Sequence, residues 1–125
     1  MKLQEWLEKA KKAEDFHVIS EGDREKTISR VFCCDLLSVA ISKVPEGGIW
    51  VTVIANMNTL AVAALTEASC VILAEGARVD EGFLKKAEEE QICLIQTELP
   101  VFEAASLADL WIGADDRVNE EKNHE

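Results

Sequence analysis

Two nearly continuous apolar runs joined by one apolar helix constrain this chain more than any other feature. Ile49-Trp50-Val51-Thr52-Val53-Ile54-Ala55 follows the turn Pro45-Glu46-Gly47-Gly48, and Cys70-Val71-Ile72-Leu73-Ala74 precedes Glu75-Gly76. Runs of this kind, β-branched and without polar alternation, are what strands look like when helices cover both faces of a parallel sheet. Between them, Asn58 to Ala68 carries Leu60, Ala61, Val62, Ala63, Ala64 and Leu65 in succession. Such a helix is apolar most of the way round and is buried on more than one side. A strand, a helix and a second strand in this order form a parallel crossover, which is right-handed in nearly all proteins.

The rest of the chain extends that unit. Leu3, Trp6, Leu7 and Ala10 stand at i, i+3, i+4 and i+7, so Lys2 to Ala13 is an amphipathic helix with its lysines outside. Phe16–Ser20 reads as a first strand, closed by the polar turn around Gly22, and Ile28–Cys34 as a second. Asp35 is then placed to cap a helix over Leu36 to Ile41. After the central strands at Ile49–Ala55 and Cys70–Ala74, a helix is expected from Arg78 to Gln91, with Asp80 near its start and Gly82 weakening its first turn. Cys93–Gln96 is the fifth strand, and Pro100 suits the first turn of a last helix running to Gly113. The expectation is an α/β layered fold with a mostly parallel five-stranded sheet flanked by helices. One domain spans 1–113, and the acidic tail 114–125 is too polar to offset its ordering entropy, so it is expected to be disordered.

Composition enters through what it excludes. A formal charge of −11 with no basic patch argues against nucleic acid, whose phosphates need clustered Lys and Arg. No apolar stretch approaches the ~20 residues of a membrane span. The N-terminus, Met1-Lys2-Leu3-Gln4-Glu5-Trp6, lacks the pattern of a signal peptide, so a cytoplasmic location is expected. Cys33, Cys34, Cys70 and Cys93 all fall in strand-like sequence, where cysteine acts as a small buried hydrophobe. No Cys-x-x-Cys pair occurs and His17 and His124 are far apart, so neither a metal site nor a cofactor is expected.

Several local phrases resemble the DRTGG domain family. They are Asp35-Leu36-Leu37-Ser38 after a strand, Gly47-Gly48-Ile49-Trp50-Val51-Thr52, and Asn58-Thr59-Leu60-Ala61-Val62-Ala63 opening the apolar helix. Glu75-Gly76, Lys86-Ala87-Glu88-Glu89-Glu90, Gln96-Thr97 and Val101-Phe102-Glu103 follow in the same order, so the resemblance covers about residues 16 to 113. The segment that names the family differs: Asp23-Arg24 is followed by Glu25-Lys26-Thr27-Ile28 where the signature has threonine and two glycines. The resemblance implies a regulatory α/β module. Similar domains occur in phosphotransacetylases, beside CBS domains in some inorganic pyrophosphatases and, more distantly, at the N-terminus of HPr kinase/phosphorylase. No phosphate loop of the Gly-x-x-x-x-Gly-Lys-Ser/Thr type is present in the sequence.

The leading expectation is therefore a regulatory or interaction domain without catalysis, acting as a homo-oligomer or on a partner protein. The alternative is a sensor of a nucleotide or another phosphorylated ligand. An enzyme using a cysteine or carboxylate comes third, because no base can be paired with a nucleophile. The apolar helix and the three tryptophans predict a homodimer. A ligand is expected where parallel strands end and helices begin. That edge collects Asp35, Asn56, Asn58, Glu75 and Thr97, with the two asparagines as best donors and also as natural caps. Asp35 and Glu75 oppose a bare phosphate, which favours a ligand with hydroxyls or amines, or a bridging cation.

Overall fold

The computed structural model describes residues 1–113, so the tail 114–125 lies outside the described residues. The elements run α1 (Leu3–Lys12), β1 (Phe16–Ser20), β2 (Val31–Cys33), α2 (Leu37–Lys43), β3 (Ile49–Thr52), α3 (Met57–Thr66), β4 (Cys70–Leu73), α4 (Glu81–Glu89), β5 (Leu94–Thr97) and α5 (Val101–Leu110). The strand order is β1-β5-β4-β3-β2. The pairs β2/β3, β3/β4 and β4/β5 are parallel, and β1 lies antiparallel to β5 at one edge. The mostly parallel layered sheet is as expected.

Alternation along the central strands sends side chains to two cores. On one face Ile49, Val51, Cys70, Ile72, Cys93 and Ile95 pack against α1 and α5. On the other Trp50, Val71, Leu73 and Leu94 pack against α2, α3 and α4. Each core holds a fully buried tryptophan whose indole N–H finds a carbonyl, as a buried donor must. Trp6 Nε1 donates to Ala108 O at 2.9 Å, and Trp50 Nε1 to Cys34 O at 2.9 Å. Trp111 completes the first core edge-on to Trp6 and Phe16, with ring centroids 5.7 and 4.9 Å away.

The differences from expectation lie at the element ends. β2 is shorter than Ile28–Cys34 because the Ile28 N–H turns to Met1 O and Thr27 bridges Lys2, which ties this stretch to the start of α1. β3 stops at Thr52, since the next two N–H groups are taken by side chains. α4 begins at Glu81, not Arg78, because Asp80 caps it by accepting the Phe83 N–H at 2.8 Å. Cys33 is exposed rather than buried, because β2 is an edge strand. Cys70 and Cys93 are buried, their sulfurs 3.2 Å apart. Burial and the neighbouring thiol push the Cys70 thiol far up, which keeps it protonated and inert. At the N-terminal ends of the strands Gly47, at φ +75°, lies so close to Thr27 that a Cβ would collide with its carbonyl. Backbone bonds cross this end, the Ser29 N–H bonding Gly47 O and the Gly47 N–H bonding Glu67 O.

Candidate functional site

The C-terminal ends of the parallel strands are built differently. Thr52, the last residue of β3, is fully buried, so its hydroxyl must be satisfied locally. It donates to Asp35 Oδ1 at 2.9 Å, and the same oxygen accepts the Val53 N–H at 3.0 Å. Asp35 therefore does not cap α2. Leu36 takes the cap position with no side-chain bond, and the Asp35 carboxylate ties the end of β2 to the end of β3.

Asn56 caps α3, its Oδ1 accepting the Asn58 N–H at 2.9 Å. Asn58 is the second helical residue and is exposed, so of the two asparagines only Asn56 is the cap. Thr59 adds a second anchor by donating its hydroxyl to Ile54 O at 2.6 Å. Beyond β4 the chain makes two left-handed residues in succession, Glu75 at φ 57° and Gly76 at φ 70°. Their N–H groups bond Leu99 O at 2.8 Å and Thr97 O at 2.9 Å, locking the β4–α4 connection to the turn after β5. Thr97 is buried and accepts the Leu99 N–H at 3.1 Å, so its oxygen shapes that turn. Glu75 is exposed.

Two cavities open along this edge. One, of about 370 Å3, lies between the start of α3 and the approach to α4, lined by Ala55, Asn56, Met57, Arg78, Val79, Asp80 and Phe83. The other, of about 220 Å3, lies over the end of β5, lined by His17, Gly76, Ala77, Arg78, Gln96, Thr97 and Glu98. Asn56 and Thr97 each line one of them, whereas Asp35, Asn58 and Glu75 line neither. Arg78 lines both. It is exposed, and among the described residues its guanidinium makes no ion pair or hydrogen bond. The apolar pattern alone would include it in a helix from Arg78; the cap at Asp80 leaves it in the preceding loop.

Other concavities sit away from this edge. One, about 730 Å3, is an open trough along the edge strand β1, bordered by Lys11, Glu21 and Glu88. Lys11 and Glu21 neutralise each other there at 2.7 Å, and the hydrogen bond from Lys11 holds the Glu21 carboxyl below its ordinary range. A cleft of about 440 Å3 at the opposite strand ends includes Ser29, whose buried hydroxyl has no partner among the described residues. Among the described residues no group of three or more His, Cys, Asp or Glu could hold a metal ion, and no helix is long and apolar enough to cross a membrane.

The arrangement is that of a small layered α/β fold with both sheet faces covered by helices. It is similar to the crystal structure of the CBS and DRTGG domains of the regulatory region of Clostridium perfringens pyrophosphatase, complexed with its activator diadenosine tetraphosphate. The match has a TM-score of 0.69 at 16% identity and covers 91% of this chain and 48% of that one. The chain thus spans about half the length of the solved structure. The likeness is one of fold, and it supports the DRTGG-like architecture implied by the sequence. No protein-family model matches the chain, and no curated protein does.

Proposed function

We propose that this chain is a non-catalytic regulatory domain that acts as a homodimer, joined through the face formed by α2 and α3. One observation carries the reading: the outward stripe of α3 is apolar and uncharged. Met57, Ala61, Ala64 and Leu65 face solvent, Leu65 with 71% of its surface exposed, and no charged residue occurs from Met57 to Thr66. The neighbouring α2 adds exposed Leu36, Val39 and Ile41, with no charge from Leu36 to Ser42. A two-fold interface sets one patch against its own copy, so on a chain of charge −11 a mostly apolar face, bordered by Lys43 and by the Lys86–Glu90 ion pair, suits contact between two copies. The fold's likeness to a regulatory region supports the regulatory half of the reading. So does Cys33, the exposed cysteine: burial of its sulfur and the Asp35 charge push its thiol up, away from the thiolate a nucleophile needs. Light scattering at tens of micromolar, on the order of concentrations where ordinary specific dimers persist, tests the dimer.

The paired cavities around Arg78 favour a second reading, in which the domain senses a nucleotide or another phosphorylated ligand at the C-terminal strand ends. The activator held by the similar pyrophosphatase region supports it. A ligand that binds only the folded state raises the unfolding temperature. Thermal unfolding with and without AMP or diadenosine tetraphosphate therefore tests this reading, and an unchanged midpoint with both speaks against it.

A further inference from the structure

Resting on that second reading, we propose that the two cavities are halves of one site for the phosphate ester of a sugar, a nucleotide or a sugar phosphate, with Arg78 holding the phosphate between them. Size points to joint use. Small-molecule sites usually span about 300–1,000 Å3, so the 220 Å3 cavity is too small alone, and the 370 Å3 cavity sits at the lower end. Both reach Arg78, which joins them into a site of ordinary size.

The charge distribution selects the ligand. An anion at this edge would ordinarily lie on the helix N-termini, but here Asn56 and Asp80 each already take one first-turn N–H, of Asn58 in α3 and Phe83 in α4. The anion contact falls to Arg78, whose planar fork matches a phosphate and whose donors are uncommitted among the described residues. Two carboxylates flank it. Asp80 uses Oδ1 as the cap and lines the larger cavity. Glu98 lies across Gly76, its Oε2 2.5 Å from where a Cβ would stand, and both residues line the smaller cavity. Neither comes within ion-pair distance of Arg78. Carboxylates repel a bare phosphate and accept hydrogen bonds from hydroxyls, so a lone cation between two acceptors suits an anion that carries a polyol.

Titration calorimetry on the full chain, with AMP, ribose 5-phosphate, ribose and inorganic phosphate as separate probes, tests this. At least one ester is expected to bind, with ribose and inorganic phosphate roughly tenfold or more weaker. Arg78→Ala should weaken the ester roughly tenfold or more, the loss expected of a charged contact. Arg78→Lys should recover part of it, and Asp80→Asn, which keeps a capping side chain, should narrow the preference for ester over inorganic phosphate. Equal binding of AMP and ribose 5-phosphate identifies the sugar phosphate as the recognised part; tighter AMP adds the base. Unchanged ester affinity in Arg78→Ala overturns the proposal while leaving ligand sensing intact. So does inorganic phosphate binding as tightly as the esters. If no ester binds the wild-type chain at millimolar concentration the proposal also fails, and ligand sensing fails with it only when diadenosine tetraphosphate leaves the unfolding midpoint unmoved.

Discussion

Helices α1 and α3 are each ten residues long and each covers one face of the same sheet, yet they meet water differently. On α1 the buried stripe Leu3, Trp6, Leu7 and Ala10 is at most 1% exposed, and the outer face is Gln4, Glu5, Glu8, Lys9, Lys11 and Lys12. On α3 the buried side is Thr59, Leu60, Val62 and Ala63, and the outer side carries Met57, Ala61, Ala64 and Leu65 with Asn58 as its one exposed polar residue. A helix that is polar outside is finished by its own domain, whereas one that is apolar on both sides leaves surface to be covered. The α1 face is not free of exposed apolar groups, since Phe102 and Leu110 project from α5. Those two stand beside Glu103 and Asp109, as scattered surface hydrophobes commonly do. Among the described residues, the stretches 36–42 and 57–66 combine apolar exposure with an absence of charge, Lys43 following at the end of α2.

The largest expected effect lies on the finished face. Trp6→Ala removes a fully buried indole and its bond to Ala108 O, and should cost about 3–5 kcal/mol in urea denaturation. A loss below about 1 kcal/mol would mean that α1 is not integral to the core. Next comes the seam beneath the open face. Asp35→Ala strands the buried Thr52 hydroxyl and the Val53 N–H, and should cost about 1–3 kcal/mol; the value expected of an exposed carboxylate, near zero, would show the seam to be idle. Asn56→Ala should cost ~1 kcal/mol through the lost cap of α3, with Asn58→Ala near neutral as the control.

The smallest effect is at the outer margin of α1. The Lys11–Glu21 pair is largely exposed and contributes less than ~1 kcal/mol. Glu21 is depressed from its ordinary 4.5, so its contribution is present above that value and fades as pH falls through the lowered folded value. Denaturation of Glu21→Gln beside wild type should show a small gap at neutral pH that closes in acid. A gap that widens in acid would reverse the sign assigned to the pair.

The same contrast explains how much could be read from sequence. The unbroken runs at Ile49–Thr52 and Cys70–Leu73 announce buried central strands, and the stripe of α1 its own orientation, because local periodicity encodes them. The direction of β1 was not legible: five residues, Phe16–Ser20, carry no mark of which neighbour they will pair or in which sense. Asp35 was misread because its partners, Thr52 and Val53, are distant in sequence, while a helix start lay adjacent to it. Arg78 was missed because charge in an apparent helix looks like a solvated face; only the cap at Asp80 moves it into the crevice. The exposure of α3 was half legible. Its composition showed an apolar helix, but a sheet and a neighbouring helix could have covered every side.

The central proposal is that the mostly apolar α2–α3 face joins two copies, and Leu65→Lys addresses it most directly. This residue is 71% exposed, so the substitution should change stability by no more than about 0.5 kcal/mol. Multi-angle light scattering of both proteins at tens of micromolar, on the order of an ordinary dimer's working range, should give wild type at twice the chain's 13.8 kDa and Leu65→Lys at the single-chain mass. A monomeric wild type, or a variant that remains dimeric, would contradict the account.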